Sequence, residues 1–198
     1  MARTIGSKKE ETHERIVRAA AKALRRDGYA GTSVADVMKA AGLTHGGFYA
    51  HFPSREAMLA EGLDQGASEA IESLLGASVV KATANGTSVL EELVDGYLSD
   101  RHMQATDSGC TLAALGSETR RQSPEIRHVA TARVKQLVKA IAAQTQDHPS
   151  AAEPLAALAT MVGALLIARV VDEPELAKEV RASAARLALG KPKKASKR

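Results

Sequence analysis

The chain has no tryptophan, a single cysteine, and aromatic side chains at only 3% of its 198 positions. Stacking platforms for single-stranded nucleic acid are therefore scarce, which argues against that binding mode and leaves duplex DNA open. One thiol, Cys110, cannot form an internal disulfide. Residues 1–20 set Glu10, Glu11 and Glu14 where a secretory signal needs an apolar core, so the expected setting is cytoplasmic. No apolar run reaches the roughly 18 to 20 residues of a membrane helix; the charge-free stretch 155–168 falls short and reads as a helix buried on two sides. Catalytic fingerprints are missing as well. Ser, His and Asp are present, but there is no Gly-x-Ser-x-Gly elbow, HExxH, paired Cys ligands or dinucleotide glycine pattern, so no enzyme, metal or cofactor is expected.

Charge is present and unevenly placed. Residues 1–60 hold ten Lys and Arg against six acids, residues 61–190 twelve against seventeen, and residues 191–198 five basic groups and no acid. A basic head on an acidic body suits a polyanion-binding module attached to something else. Apolar residues recur at helical intervals and no long stretch alternates, so the fold class expected is all-α, with about nine helices.

Helix boundaries follow from caps and breakers. Ser7 with Glu10 has capping-box spacing, Ile16, Val17, Ala20, Ala23 and Leu24 form a stripe, and Gly28 offers a stop. Ser33 with Asp36 opens a second, short helix that Gly42 ends. Thr44 caps a third over residues 45–51, which Pro53 prevents from continuing. Ser54 caps a fourth, expected to run toward Leu75 before a Gly, Ser and Thr region. Further helices are expected around 90–98 and 111–121, from Pro124 along Ile126, Val129, Val134 and Ile141, over 155–168, and from Pro174 to Leu187, with 102–109 as a loop. The domains expected are a head at 1–53, a body at 54–190 and a disordered basic tail at 191–198.

Residues 32–51 thus read as a helix-turn-helix, whose second helix places its first residues against base edges in a major groove. Gly46 and Gly47 each cost a helix about 1 kcal/mol relative to Ala, so something must compensate; a close approach to DNA at the positive end of the helix dipole does so. Thr44, His45, Tyr49 and His51 can donate or accept hydrogen bonds there. Three of them have a plainer alternative: Thr44 as a cap only, His51 as a packed or solvated residue, Tyr49 as core. Lys8, Lys9 and the tail add general phosphate attraction, or are idle.

The segment TSVADVMKAAGLTHGGFYAHFPSREAML, residues 32–59, resembles the TetR family of transcriptional regulators, and the likeness extends over roughly the first 60 residues. It implies that Thr44, His45 and Gly46 face bases, that Ser33, Tyr49, His51 and Arg55 hold phosphates with Tyr49 foremost, and that Phe48 and Phe52 are core. The family often carries Lys where His45 and Arg55 stand. Weaker likeness continues at Gly109-Cys110-Thr111-Leu112, Ser123-Pro124-Glu125, Val162-Gly163-Ala164-Leu165 and Asp172-Glu173-Pro174-Glu175.

The resemblance further implies a homodimer joined by its last two helices, with Leu155, Ala159, Val162, Gly163, Leu166, Leu176, Val180 and Leu187 as seam candidates. It implies a palindromic double-stranded operator and a small-molecule effector of unknown identity held between the fourth and seventh helices. Candidates for that pocket are Leu63, Tyr97, His102, Met103, Cys110 and Leu115, each with a core alternative. Repressor is the expected sense. Competing readings are a thiol sensor built on Cys110, near a helix N-terminus, and a nonspecific architectural DNA-binding protein.

Overall fold

The computed structural model describes residues 5–146 and 148–191, with side chains from residue 8 onward. Among the described residues there is no strand. Nine α-helices follow in order: α1 (Ile5–Gly31), α2 (Val34–Ala40), then a 3-10 turn (His45–Ala50), α3 (Arg55–Asn85), α4 (Val89–Tyr97), α5 (Asp100–Gln104), α6 (Thr111–Thr119), α7 (Pro124–Thr145), α8 (Pro154–Val170) and α9 (Pro174–Ala188). The Ser7 capping box involves a side chain outside the described residues, and the helical backbone already begins at Ile5. Residues 192–198 of the basic tail also lie outside them. Lys191 donates to Glu91 at 2.8 Å.

Local chemistry explains most boundaries. Gly28 leaves the helical region at φ +72°, so α1 kinks there before ending at Gly31. At the end of α2, Gly42 takes φ +72°, its N–H donates to Lys39 O and the Leu43 N–H to Met38 O, the paired closure that a left-handed glycine permits. Ser54 Oγ accepts from Ala57 N–H at 3.1 Å and starts α3. That helix continues ten residues beyond Leu75, because Ser78 and Thr83 return their hydroxyl protons to Leu74 O and Val79 O instead of breaking the ladder. It stops at Asn85, ahead of left-handed Gly86 and the Ser88–Glu91 capping box of α4. The expected loop at 102–109 starts inside α5, whose last three residues it includes and which Ser99 Oγ caps by accepting from His102 N–H.

The chain divides into two compact units. The first takes residues up to 70 together with 106–133. Its core gathers Ile16, Leu24, Val37, Met38, Phe48, Phe52, Met58 and Leu59 with Leu63, Leu115 and Ile126. Gly62 allows α3 to approach α1 closely: a Cβ there would lie 2.9 Å from that of Ala20.

The second unit takes residues 71–105 and those from 134 onward. In it α8 pairs with α9, while α4 packs on α9 and α5 on α8. Two arginines fasten this unit. Arg181, buried on α9, donates to Leu98 O at 2.8 Å and to Asp100 Oδ1 at 2.5 Å. Arg169 on α8 donates to His102 O, Met103 O and Ala105 O, which closes the C-terminal end of α5.

Candidate nucleic-acid interface

The element after the 41–44 turn is a 3-10 turn of six residues, not an α-helix. Two consecutive glycines and a boundary at Pro53 leave too few good formers to nucleate an α-helix, and a tighter i to i+3 ladder suffices, seen in Gly47 N–H to Thr44 O at 3.2 Å. Phe48 and Phe52 hold it down: both are buried and stack with ring centroids 5.6 Å apart. The opposite edge faces out. Thr44, His45, Gly46 and Tyr49 are all exposed, Tyr49 at 76%, so Tyr49 is not core. Its ring meets Phe48 only edge-on, at 5.2 Å.

Thr44 has the extended backbone of a cap residue, but its hydroxyl makes no capping bond. Ser33 caps α2 by accepting from Asp36 N–H at 3.1 Å and donates its own proton to Asp36 Oδ2 at 2.6 Å. Gly47 is half-buried, and a Cβ there would rest 3.6 Å from Met38 Cε; one at Gly46 would meet nothing within 4 Å. Neither glycine has positive φ.

His51 and Arg55 are placed differently from the other candidates. His51 is half-buried, with Nδ1 shielded and without a hydrogen-bond partner, and its ring centroid lies 6.0 Å from that of His13. Burial first, and then charge on His13 and Lys9, holds its imidazole below the usual pKa. Arg55 donates through Nε and Nη2 to Thr32 O and through Nη2 to Tyr29 O. The guanidinium thus staples the segment between α1 and α2 instead of presenting those donors to solvent.

Residues that the sequence reading passed over also shape this face. His13 on α1 stacks on Phe52 at 4.5 Å and bonds Glu61 Oε2 at 2.6 Å, locking α1 against the start of α3. Lys39, exposed in the last turn of α2, is a further cation on the helix-turn-helix. Nothing in the local pattern marks His13, since its partners are about forty and fifty positions away.

The six pocket candidates are divided between the two units. Leu63 and Leu115 are core of the first unit, and Cys110, buried, is the residue before α6 in that unit. Tyr97, His102 and Met103 belong to the second. There the His102 ring meets that of Tyr97 edge-on at 4.7 Å, and its Nδ1 lies 2.6 Å from Tyr97 O. Burial holds the His102 imidazole below its usual pKa.

The seam candidates share one property: none is buried. Leu155 is 54% exposed and Leu187 61%, Leu166, Leu176 and Ala159 are exposed, and Val162, Gly163 and Val180 are half-exposed. The helix read as buried on two sides is buried on one, through Ala157, Leu158, Met161, Ala164, Leu165 and Ala168. Its other edge also carries exposed Ile167 and, two residues past the expected end, exposed Val170.

A family model described as bacterial regulatory proteins, tetR family, matches residues 16–61, the span from mid-α1 to the first turns of α3. An uncharacterized HTH-type transcriptional regulator of Mycobacterium tuberculosis is 31% identical over 170 residues, covering 79% of this chain and 84% of the relative. A TetR transcriptional regulator from Chloroflexus aurantiacus has the same fold at a TM-score of 0.74 and 24% identity, covering 93% of this chain and 97% of its own. One from Cytophaga hutchinsonii gives 0.72 at 24%, covering 95% and 98%. With its matched helix-turn-helix and its all-helical architecture, the chain belongs to the TetR family of DNA-binding transcriptional regulators.

Proposed function

We propose that this regulator is a repressor that binds a roughly palindromic operator as a homodimer and releases it when a small molecule occupies its body. The observation that carries the DNA reading is the outer edge of the 3-10 turn. An aromatic ring stands 76% exposed there, in line with a glycine that the fold does not need. Side chains at i and i+3 eclipse in a 3-10 helix, so Gly46 and Tyr49 share one line. An alanine at 46 would suit the protein better, and a partner surface approaching the backbone accounts for its absence. Thr44, His45 and Tyr49 then meet base edges or phosphates, with Ser33, Gly47 and His51 flanking, while Arg55 acts by holding the loop.

Dimerisation is supported by the uncovered edge of α8 and α9. Leu155, Ala159, Gly163 and Leu166 lie one turn apart along α8, and a Cβ at Gly163 would meet nothing, so a second helix can approach closely. Two heads related by a two-fold axis would read half-sites about 34 to 36 Å apart. For the effector, Tyr97, His102 and Met103 are candidates in the second unit and Leu63, Cys110 and Leu115 in the first. An effector acts only if it prefers the protein shape that does not fit DNA.

Selection of bound duplexes from a random pool, followed by competition at physiological salt, tests the reading. A palindromic consensus preferred by about 10³-fold or more is expected. Uniform binding to every sequence would favour the architectural alternative, and turnover of a substrate without DNA binding would favour an enzyme. The thiol-sensor alternative gains nothing from Cys110, which is buried at 6% exposure.

A further inference from the structure

We propose that Glu118 is a positioning residue for DNA reading: from α6 its carboxylate holds the kink at Gly28 near the end of α1, and through it the angle of the helix-turn-helix that follows. The inference rests on the reading of the 3-10 turn as the DNA surface. All the residues concerned lie in the first compact unit, which joins the head to α6.

At Gly28 the backbone takes φ +72° and ψ 179°, and a Cβ there would stand 2.8 Å from both Glu118 carboxylate oxygens. The seat of the carboxylate and the kink of α1 therefore require the same missing side chain. Glu118 Oε2 accepts the next N–H, that of Tyr29, at 3.0 Å. Thr119 donates its hydroxyl proton to Leu115 O, so the buried Tyr29 hydroxyl is the donor in the 3.1 Å bond between the two side chains.

From Tyr29 the bonds continue toward the DNA-reading element. Tyr29 O accepts from Arg55, which also grips Thr32 O, and Thr32 is followed by Ser33, the cap of α2. At the other end of the α6 segment, Asp107 O accepts from Arg25 of α1 at 2.6 Å, and the same guanidinium reaches Gly66 O on α3 at 2.9 Å. The α6 segment is thus tied to α1 at both ends by directional bonds. Apolar packing is non-directional, whereas the carboxylate on the Tyr29 N–H adds a preferred direction to the contact between α6 and α1.

The test uses the full chain, a duplex that the wild type has selected from random sequence, and a random duplex of equal length. Glu118→Ala leaves the Tyr29 N–H without its acceptor, and the ratio of selected to random affinity is expected to fall about ten-fold, with random-duplex affinity unchanged. Glu118→Gln keeps an acceptor oxygen and is expected to stay within about three-fold of wild type. An unchanged ratio in folded Glu118→Ala overturns the proposal while the DNA reading stands; a wild type that selects no sequence overturns the reading itself. Should Glu118→Ala fail to fold, Tyr29→Phe decides, since it removes only the hydroxyl bond. A ratio lowered about three-fold supports the clasp, and an unaltered one overturns it.

Discussion

Two of the exposed surfaces of this chain are chemically opposite. The reading turn offers Thr44, His45, Gly46 and Tyr49, a set rich in hydrogen-bonding groups with one amphipathic ring. The edge of α8 and α9 offers Leu155, Leu166, Ile167, Val170, Leu176 and Leu187, with no polar atom in any side chain. The first suits a wet, charged, groove-shaped partner; the second suits only another apolar surface, for which a second copy of the same edge is the simplest source. Exposure alone does not say what a surface binds, but the chemistry of the exposed groups does.

Reversing that chemistry at the α8–α9 edge should have the largest effect. A chain carrying both Leu166→Glu and Leu187→Glu is expected to sediment as a monomer, with dimer affinity down by about 100-fold or more, because charges would be buried without partners. Its helical circular dichroism should stay unchanged, and a stable dimer would show that the seam lies elsewhere. Next comes Tyr49→Ala, expected to reduce operator affinity about 30-fold in a retardation assay while the melting temperature holds, since the ring contributes little to the fold.

Gly46→Ala sharpens the contrast further by separating stability from binding. Stability should rise by up to about 1 kcal/mol in denaturant titration, and operator affinity should fall about ten-fold as the added methyl meets the DNA surface. Gains or losses in both together would return Gly46 to a purely structural role. The smallest effect is acid sensitivity. His51 and His102 are both held below the usual imidazole range by burial, so as pH falls through about 6.5 the unfolded chain takes up protons that the folded one resists. Stability should therefore decline toward pH 5. His51→Gln and His102→Gln, each followed by denaturant titration across that range, should each flatten the decline.

The helix-turn-helix was legible because its signals are local. Ser33 with Asp36, Gly42, Pro53 and Ser54 act within four residues of themselves, and the structure uses each of them. Stripes such as Ile16, Ala20 and Leu24 similarly found the core. The length of α3 was misread because Ser and Thr look like breakers until their hydroxyls are seen bonding one turn back. The family resemblance assigned Arg55 to a phosphate; that its Nε and Nη2 turn inward to Tyr29 O and Thr32 O depends on a stretch of chain more than twenty residues earlier. Leu63 and Leu115 are buried in the core of the first unit, as the plainer alternative for each allowed.

Composition, period and caps were enough to determine an all-helical chain, the position of the short turn after Gly42 and the amphipathic character of α9, because these depend on neighbours within one or two turns. Tertiary structure alone decided that the 3-10 turn is held on Phe48 and Phe52, that α6 belongs to the same compact unit as the head, and that Glu118 sits on Gly28. Those outcomes join groups as many as ninety positions apart, and directional contacts over such separations are chosen by the packed geometry of the whole unit, which no local spacing encodes.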